Sequence, residues 1–308
     1  MRSRTEPPRR PRGALGRREP NQGGLALLFS GPALLVIAVT ILFPLGYAVF
    51  VSLHRYNLKF PVKPFIGLDN YVNQLTGFAF WRSLGTTAVF SVGAVLMIVV
   101  LGMAIATLLD QKFYGRGLLR ALLLVPWAVP PVVNGLLWKW LLDPGYGVVN
   151  GLLSQLGLIS DYQSWMTSMP SAMIWVIIAY AWTHVPLAAL LLLAGLQTIP
   201  GELNEAATVD GATPLQRWAR ITFPLMMPTI MVVLIFETIF ALKVFDVIYV
   251  LTGGGPGRAT TVLGWQIYTR TFLQLDFGNG SALAILLGFL TLGIAFLYFR
   301  MLNRTHDG

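Results

Sequence analysis

Few side chains in this sequence are spaced to make or break bonds. His54, His184 and His306 are far apart, no His-Glu-x-x-His run occurs, and no serine, histidine and acid share one helical neighbourhood. With no cysteine there is neither a thiolate metal site nor a disulfide framework, and the redox compartment is not readable. Gly253-Gly254-Gly255-Pro256-Gly257-Arg258 is rich in glycine but lacks the Gly-Lys-Ser/Thr ending of a phosphate-binding loop. The expectation is a chain with no catalytic residue, no metal ligands and no bound cofactor of its own. What the spacing specifies is mechanical: Glu205-Ala206-Ala207, then Gly211, then Ile221 and Pro224, set in a polar loop between two long apolar segments.

The chemistry of that loop reads as helix, tight turn, helix. Pro200 suits a first helical turn, Glu202 and Glu205 sit near the positive end of its dipole, and Asp210-Gly211 ends it. Thr213 caps a second helix, Pro214 follows the cap, and Gln216 reaches back to complete a capping box, while Pro224 is expected to stop the helix. Ala206 and Ala207 give the first helix a small-residue face on which another protein surface approaches closely. The loop therefore reads as a docking element.

The elements that hold it are membrane helices. The chain has 308 residues, 55% of them hydrophobic and 11% charged, with a mean hydropathy of +0.66, well beyond a soluble domain. Six spans are expected, at 25–53, 84–109, 118–142, 171–196, 228–251 and 281–302, each near or above the roughly 20 residues that cross a bilayer core. Strands would instead show short alternating segments, so the fold class is an all-α polytopic membrane protein.

Fourteen of the 22 basic residues set the orientation: Arg2, Arg4, Arg9, Arg10, Arg12, Arg17, Arg18, Lys112, Arg116, Arg120, Arg217, Arg220, Arg300 and Arg304. That places both termini and the 197–227 loop in the cytoplasm. The other eight, among them Arg82, Lys243, Arg258 and Arg270, have less topological weight. The net charge of +9 is spread at membrane ends and in a Pro/Arg tail without interleaved aromatics, which excludes a nucleic-acid partner as the reading. Residues 1–24 are expected as a disordered basic tail that is not a signal peptide, 25–304 as the membrane domain, and 305–308 as a short cytoplasmic tail.

Within the spans, two proline-interrupted regions are expected to line a cavity with aromatic and polar groups. One is Trp127 among Pro126, Pro130 and Pro131, with Asn134, Trp138 and Trp140 beyond; the other is a break at Trp182, Thr183, His184 and Pro186. Glu237, Lys243 and Asp246 lie in the fifth span, where each charge costs about 2.5–3.5 kcal/mol on insertion scales. Lys243 and Asp246 are three apart and are expected to pair on one helical face. Glu237 has two readings, facing a second subunit or facing the transport path.

The spacing of Glu205-Ala206-Ala207, Gly211, Ile221 and Pro224 resembles the EAA loop of permease subunits from bacterial ATP-binding-cassette importers, with Phe223 in place of the usual leucine. Phe65-Ile66-Gly67-Leu68-Asp69-Asn70-Tyr71, Pro126-Trp127-Ala128-Val129-Pro130 and Leu251-Thr252-Gly253-Gly254-Gly255-Pro256 look like the sugar-importer branch, close to maltose-F and glycerol-phosphate permeases, over residues 25–304. The resemblance implies a type I ABC importer permease fold. It also implies several partners: a second permease subunit, two ATPase subunits that bind ATP and Mg, an extracytoplasmic solute-binding protein and a carbohydrate substrate, of di- or oligosaccharide type.

On this reading Glu205, Ala206, Ala207, Asp210, Gly211, Ile221 and Pro224 couple to the ATPase, and Gly253, Gly254, Gly255 and Pro256 receive the binding protein. The substrate path is assigned Trp127, Pro131, Asn134, His184, Leu187, Glu237 and Val244. Trp127 falls on an aromatic sugar contact of the maltose permease, but Pro131, His184, Leu187, Ala241 and Val244 replace a serine, a glycine, a tyrosine and two asparagines. An ion-driven secondary transporter using Glu237 and Asp246 is the alternative reading. It is weaker because six spans are half of most such bundles and the docking loop would have no purpose.

Overall fold

A computed structural model describes residues 22–306, with side chains from 29 to 301. The basic tail assigned to residues 1–24 lies outside the described residues up to position 21, and helix α1 (Gln22–Ile37) begins at the three positions that remain. The chain forms two units, Met1–Ala48 and Val49–Gly308.

In the first unit α1 passes through a π turn, Ala38–Leu42, into α2 (Phe43–Ser52), where the Phe43 N–H bonds Ala38 O, five residues back. Pro44 follows at once. A proline ring clashes with the carbonyl four residues earlier, and widening the turn by one residue relieves that clash while the helix continues.

The second unit is built on two long helices, α4 (Phe78–Asp110) and α8 (Met169–Leu196). Phe90, Ala94 and Ile98 of α4 are fully enclosed, as are Val176, Ala188 and Leu192 of α8. Small residues set the spacing: a Cβ on Gly102 would lie 3.4 Å from Ala188 Cβ, and one on Gly93 would lie 2.8 Å from Ile177 Cδ1. Without water to expel from between helices in lipid, close van der Waals contact of this kind is what holds them. Helix α11 (Phe223–Leu242) packs on both through Met226, Ile230 and Val233, and approaches α8 where Gly195 faces Thr229.

A smaller core joins α4, α13 (Leu263–Tyr268) and α14 (Phe277–His306) through Phe80, Leu263, Leu283 and Leu287. The buried Leu263 N–H donates to Thr87 Oγ1 at 2.8 Å, fixing the start of α13 on α4. Helix α3 (Asp69–Thr76) carries Asn70, whose Nδ2 donates to Ser52 O and His54 O, so this part of the Gly-Leu-Asp-Asn-Tyr segment clamps the chain that leaves α2. The outer faces remain apolar and uncovered, as Phe289, Leu292 and Phe296 show on α14. Among the described residues no strand forms, only isolated bridges.

Among the described residues, five continuous helical stretches are long and apolar enough to cross a membrane. The expected third span is not continuous: α5 (Arg116–Trp127) and α6 (Pro131–Leu141) meet at 94°, and this bent pair makes the sixth crossing when counted as one. Pro130 takes an extended conformation, φ −58 and ψ 141, and accepts the first bond of α6 from the Asn134 N–H. Two successive residues there have no N–H to continue α5.

Three other expectations are corrected. Pro224 does not stop the helix, because a π turn, Trp218–Thr222, precedes it and the helix runs on into α11. It is the same device as at Pro44. The fourth span does not break at Trp182–Pro186, since α8 is continuous through Pro186. The fifth span does break, at Lys243–Phe245, before α12 (Asp246–Leu251). Gly264 of α13 packs there on the Val244 backbone, where a Cβ would lie 2.4 Å from Val244 O.

Candidate functional site

The polar loop carries α9 (Gly201–Val209) and α10 (Pro214–Arg217). Gly211, at φ +78, closes α9: its N–H bonds Thr208 O at 3.1 Å and the Ala212 N–H bonds Ala207 O at 2.9 Å. This pair of bonds is a Schellman stop, and only a residue without Cβ enters that conformation at little cost. Thr213 and Gln216 form the reciprocal capping box, with Gln216 N–H donating to Thr213 Oγ1 at 3.3 Å and Thr213 N–H to Gln216 Oε1 at 2.9 Å. Arg217 Nη1 donates to Thr208 Oγ1 at 2.6 Å and ties the two helices together.

Glu205, Ala206, Asp210, Gly211 and Pro224 are exposed, and Ala207 and Ile221 are half-buried. Val209 and Leu215, at 87% and 76% exposed, stand out from the loop as large apolar side chains without cover. The loop is therefore an internally braced knob with an apolar tip.

The seven path residues come together around two adjoining cavities. The first, about 340 Å³, is lined by Trp127, Pro131, His184, Leu187 and Glu237. The second, about 190 Å³, is lined by Pro131, Asn134, His184 and Val244, with Tyr180, Lys243 and Asp246. Their shared wall includes Pro131, Thr183, His184 and Phe240. Asn134, 2% exposed, donates from Nδ2 to Ala179 O at 2.9 Å and so holds α6 against α8, while its Oδ1 has no partner.

Sequence reasoning missed the contact at the centre. His184 Nδ1 lies 2.9 Å from Glu237 Oε2, linking α8 to α11, and the imidazole stacks on Tyr180 with centroids 4.0 Å apart. Glu237 is 3% exposed and so turns inward. A carboxylate buried in an apolar bundle must find a donor, and His184, the one histidine within the fourth span, was the signal that pointed to a partner. The expected ion pair of Lys243 and Asp246 is absent, as no contact within 4.0 Å links them. The helix break separates them: Lys243 lies over the Phe240 ring and Asp246 opens α12.

At the other end of α12, the Gly253–Pro256 turn is laced by threonines. Thr252 Oγ1 meets Thr260 Oγ1 at 2.7 Å, and Thr261 Oγ1 donates to Gly254 O at 3.0 Å. Gly254, at φ +83, lies against Trp265 and leaves no room for a side chain.

Residues 98–304 fit the model of the binding-protein-dependent transport system inner membrane component. The chain belongs to that family.

This permease is 42% identical to a trehalose/maltose transport system permease protein of Thermococcus litoralis, over 92% of this chain and 94% of the relative. It is 38% identical to a sulfoquinovosyl glycerol transport system permease protein of Agrobacterium fabrum, over 92% and 91%. A solved bacterial transporter for import of the acidic polysaccharide alginate has a chain that superposes with a TM-score of 0.78 over 92% of this permease and 96% of that chain. At 24% identity that likeness shows a shared fold. The permease is thus a multi-pass membrane transport subunit, and the ion-driven alternative is left without support.

Proposed function

We propose that this permease is one of two membrane subunits of an ATP-driven carbohydrate importer. A solute-binding protein delivers substrate at the Gly253–Pro256 side, and two ATPase subunits, which hold ATP and Mg, engage the 201–217 loop from the cytoplasm. Both chain termini lie on that cytoplasmic side of the inner membrane. Substrate passes the cavities lined by Trp127, His184 and Glu237, where aromatic faces and a few polar groups suit a sugar's C–H faces and hydroxyls. A di- or oligosaccharide fits the relatives best, since trehalose, maltose and a glycosyl glycerol stand in their names.

The observation that carries this reading is the loop itself. Its two short helices are stopped, capped and cross-tied while their apolar tips Val209 and Leu215 stay bare. A rigid body of that kind transmits a displacement without absorbing it, and a motor drives a cycle only if it favours one state over the other. ATP binding and hydrolysis in the partners thereby tilt the permease pair between inward- and outward-facing states.

The test is purification of the tagged permease followed by reconstitution. A second permease and an ATPase are expected to copurify, and sugar uptake into vesicles is expected to need ATP and binding protein. Uptake that ran on an ion gradient without ATP would overturn the proposal.

A further inference from the structure

Beside the glycine turn, and apart from the two path cavities, a cavity of about 330 Å³ opens between the start of α4 and the segment around α13. Arg82, Arg258 and Arg270 line it, and no aspartate or glutamate does. None of the three makes an ion pair, since among the described residues the one salt bridge is His184–Glu237. Arg82 Nη2 donates to Gly257 O at 2.8 Å and Arg270 Nη1 to Gln274 Oε1 at 2.9 Å, so both guanidiniums are held by neutral acceptors that leave their charge unopposed. Each guanidinium has five N–H donors, so most are free for a ligand. Arg82 and Arg270 are half-buried, where charge is screened less than on an open surface.

A second unmet group sits in the same wall. Gln266 is 5% exposed and its Oε1 accepts no hydrogen bond. The ligand that completes this cavity brings anionic oxygens to three guanidiniums and an N–H donor to Gln266. An Asp or Glu on a polypeptide segment supplies both, a carboxylate for the arginines and backbone N–H for the amide, whereas a simple inorganic anion supplies chiefly the first.

We propose that this cavity is the socket for an acidic side chain of the docked solute-binding protein. The inference rests on the reading of Gly253–Pro256 as the docking turn, whose Gly253, Gly254 and Gly255 form one wall of the cavity. The missing side chains there open the socket to an incoming segment, and the arginines steer its charge.

The complete transporter is assembled in nanodiscs of neutral phosphatidylcholine, with and without added phosphatidylglycerol, and titrated with its labelled solute-binding protein across a range of salt. Arg82 also tethers the turn through Gly257, so the substitutions are made at the other two positions. Arg258→Gln and Arg270→Gln are each expected to weaken binding about tenfold and to flatten its salt dependence. Arg258→Lys and Arg270→Lys are expected to keep most of the salt dependence, which a misfolded turn would not. Wild-type affinity and salt slope in both glutamine variants overturn the socket, and so does an effect confined to discs with phosphatidylglycerol, which assigns the cavity to a lipid headgroup. Gly253→Trp separates the two readings: lost binding with arginine variants unaffected keeps the docking turn and rejects the socket, while no effect from any substitution rejects both.

Discussion

His184 of α8 and Glu237 of α11, 53 residues apart in sequence, meet at 2.9 Å in the wall of the cavity of about 340 Å³. The pair is both a clasp between two membrane helices and the most polar feature of that wall. Removing the imidazole leaves a carboxylate that is 3% exposed without its donor. We expect His184→Ala to lower stability by about 2 kcal/mol and Glu237→Gln, which keeps a hydrogen-bonding group, to cost less. Thermal unfolding of single and double variants in nanodiscs checks this, and additive effects within error would show that the pair is not coupled.

Gly211 ends α9 at φ +78 with two carbonyl bonds that fix the angle between the loop helices. Gly211→Ala is expected to cost about 1 kcal/mol locally, from Cβ in the left-handed region. Gly211→Pro removes the N–H that bonds Thr208 and forbids that φ altogether. We expect Gly211→Pro and Glu205→Lys to leave the protein in the membrane while uptake is lost and ATP hydrolysis no longer tracks transport. Wild-type uptake by either variant in vesicles would remove the loop from the coupling path.

Thr213 caps α10 in a reciprocal box with Gln216. Thr213→Ala is expected to cost about 1 kcal/mol, which speeds amide exchange across residues 215–217 roughly fivefold. Hydrogen exchange by mass spectrometry reads this directly. Unchanged protection would mean that docking contacts, not the cap, hold the second helix.

Gly135 of α6 sits against α12, where an added Cβ would lie 2.7 Å from Val250 Cβ. Gly135→Leu is expected to cost about 1–3 kcal/mol by overpacking and to impair uptake, and Val250→Ala in the same chain is expected to recover part of both. A melting curve and an uptake assay on the pair decide it.

The loop was legible because its rules are local. Pro200, Gly211, Thr213 and Gln216 act within a few residues of themselves, and the stop and the capping box stand where the residue types put them. The expectation at Pro224 failed for a reason equally physical: a π turn widens the helix by one residue and accepts the ring, so a proline is a cost to the helix and not an end to it. At Pro130-Pro131 no such turn forms, and the helix bends by 94° instead.

Composition and spacing alone determined that this is an all-α membrane protein with a capped polar loop, because apolar length and caps are properties of consecutive residues; that it is a permease came from its resemblance to a family. Which helix faces which, and at what rotation, was decided only by tertiary contact. Small residues at Gly102 and Gly195 let α4, α8 and α11 close on one another. That closure brings His184 to Glu237, while Gly264 packs on Val244 where the fifth span breaks and three arginines gather around one cavity. None of these partners lies within a helical turn of the other, so no periodicity in the sequence records them.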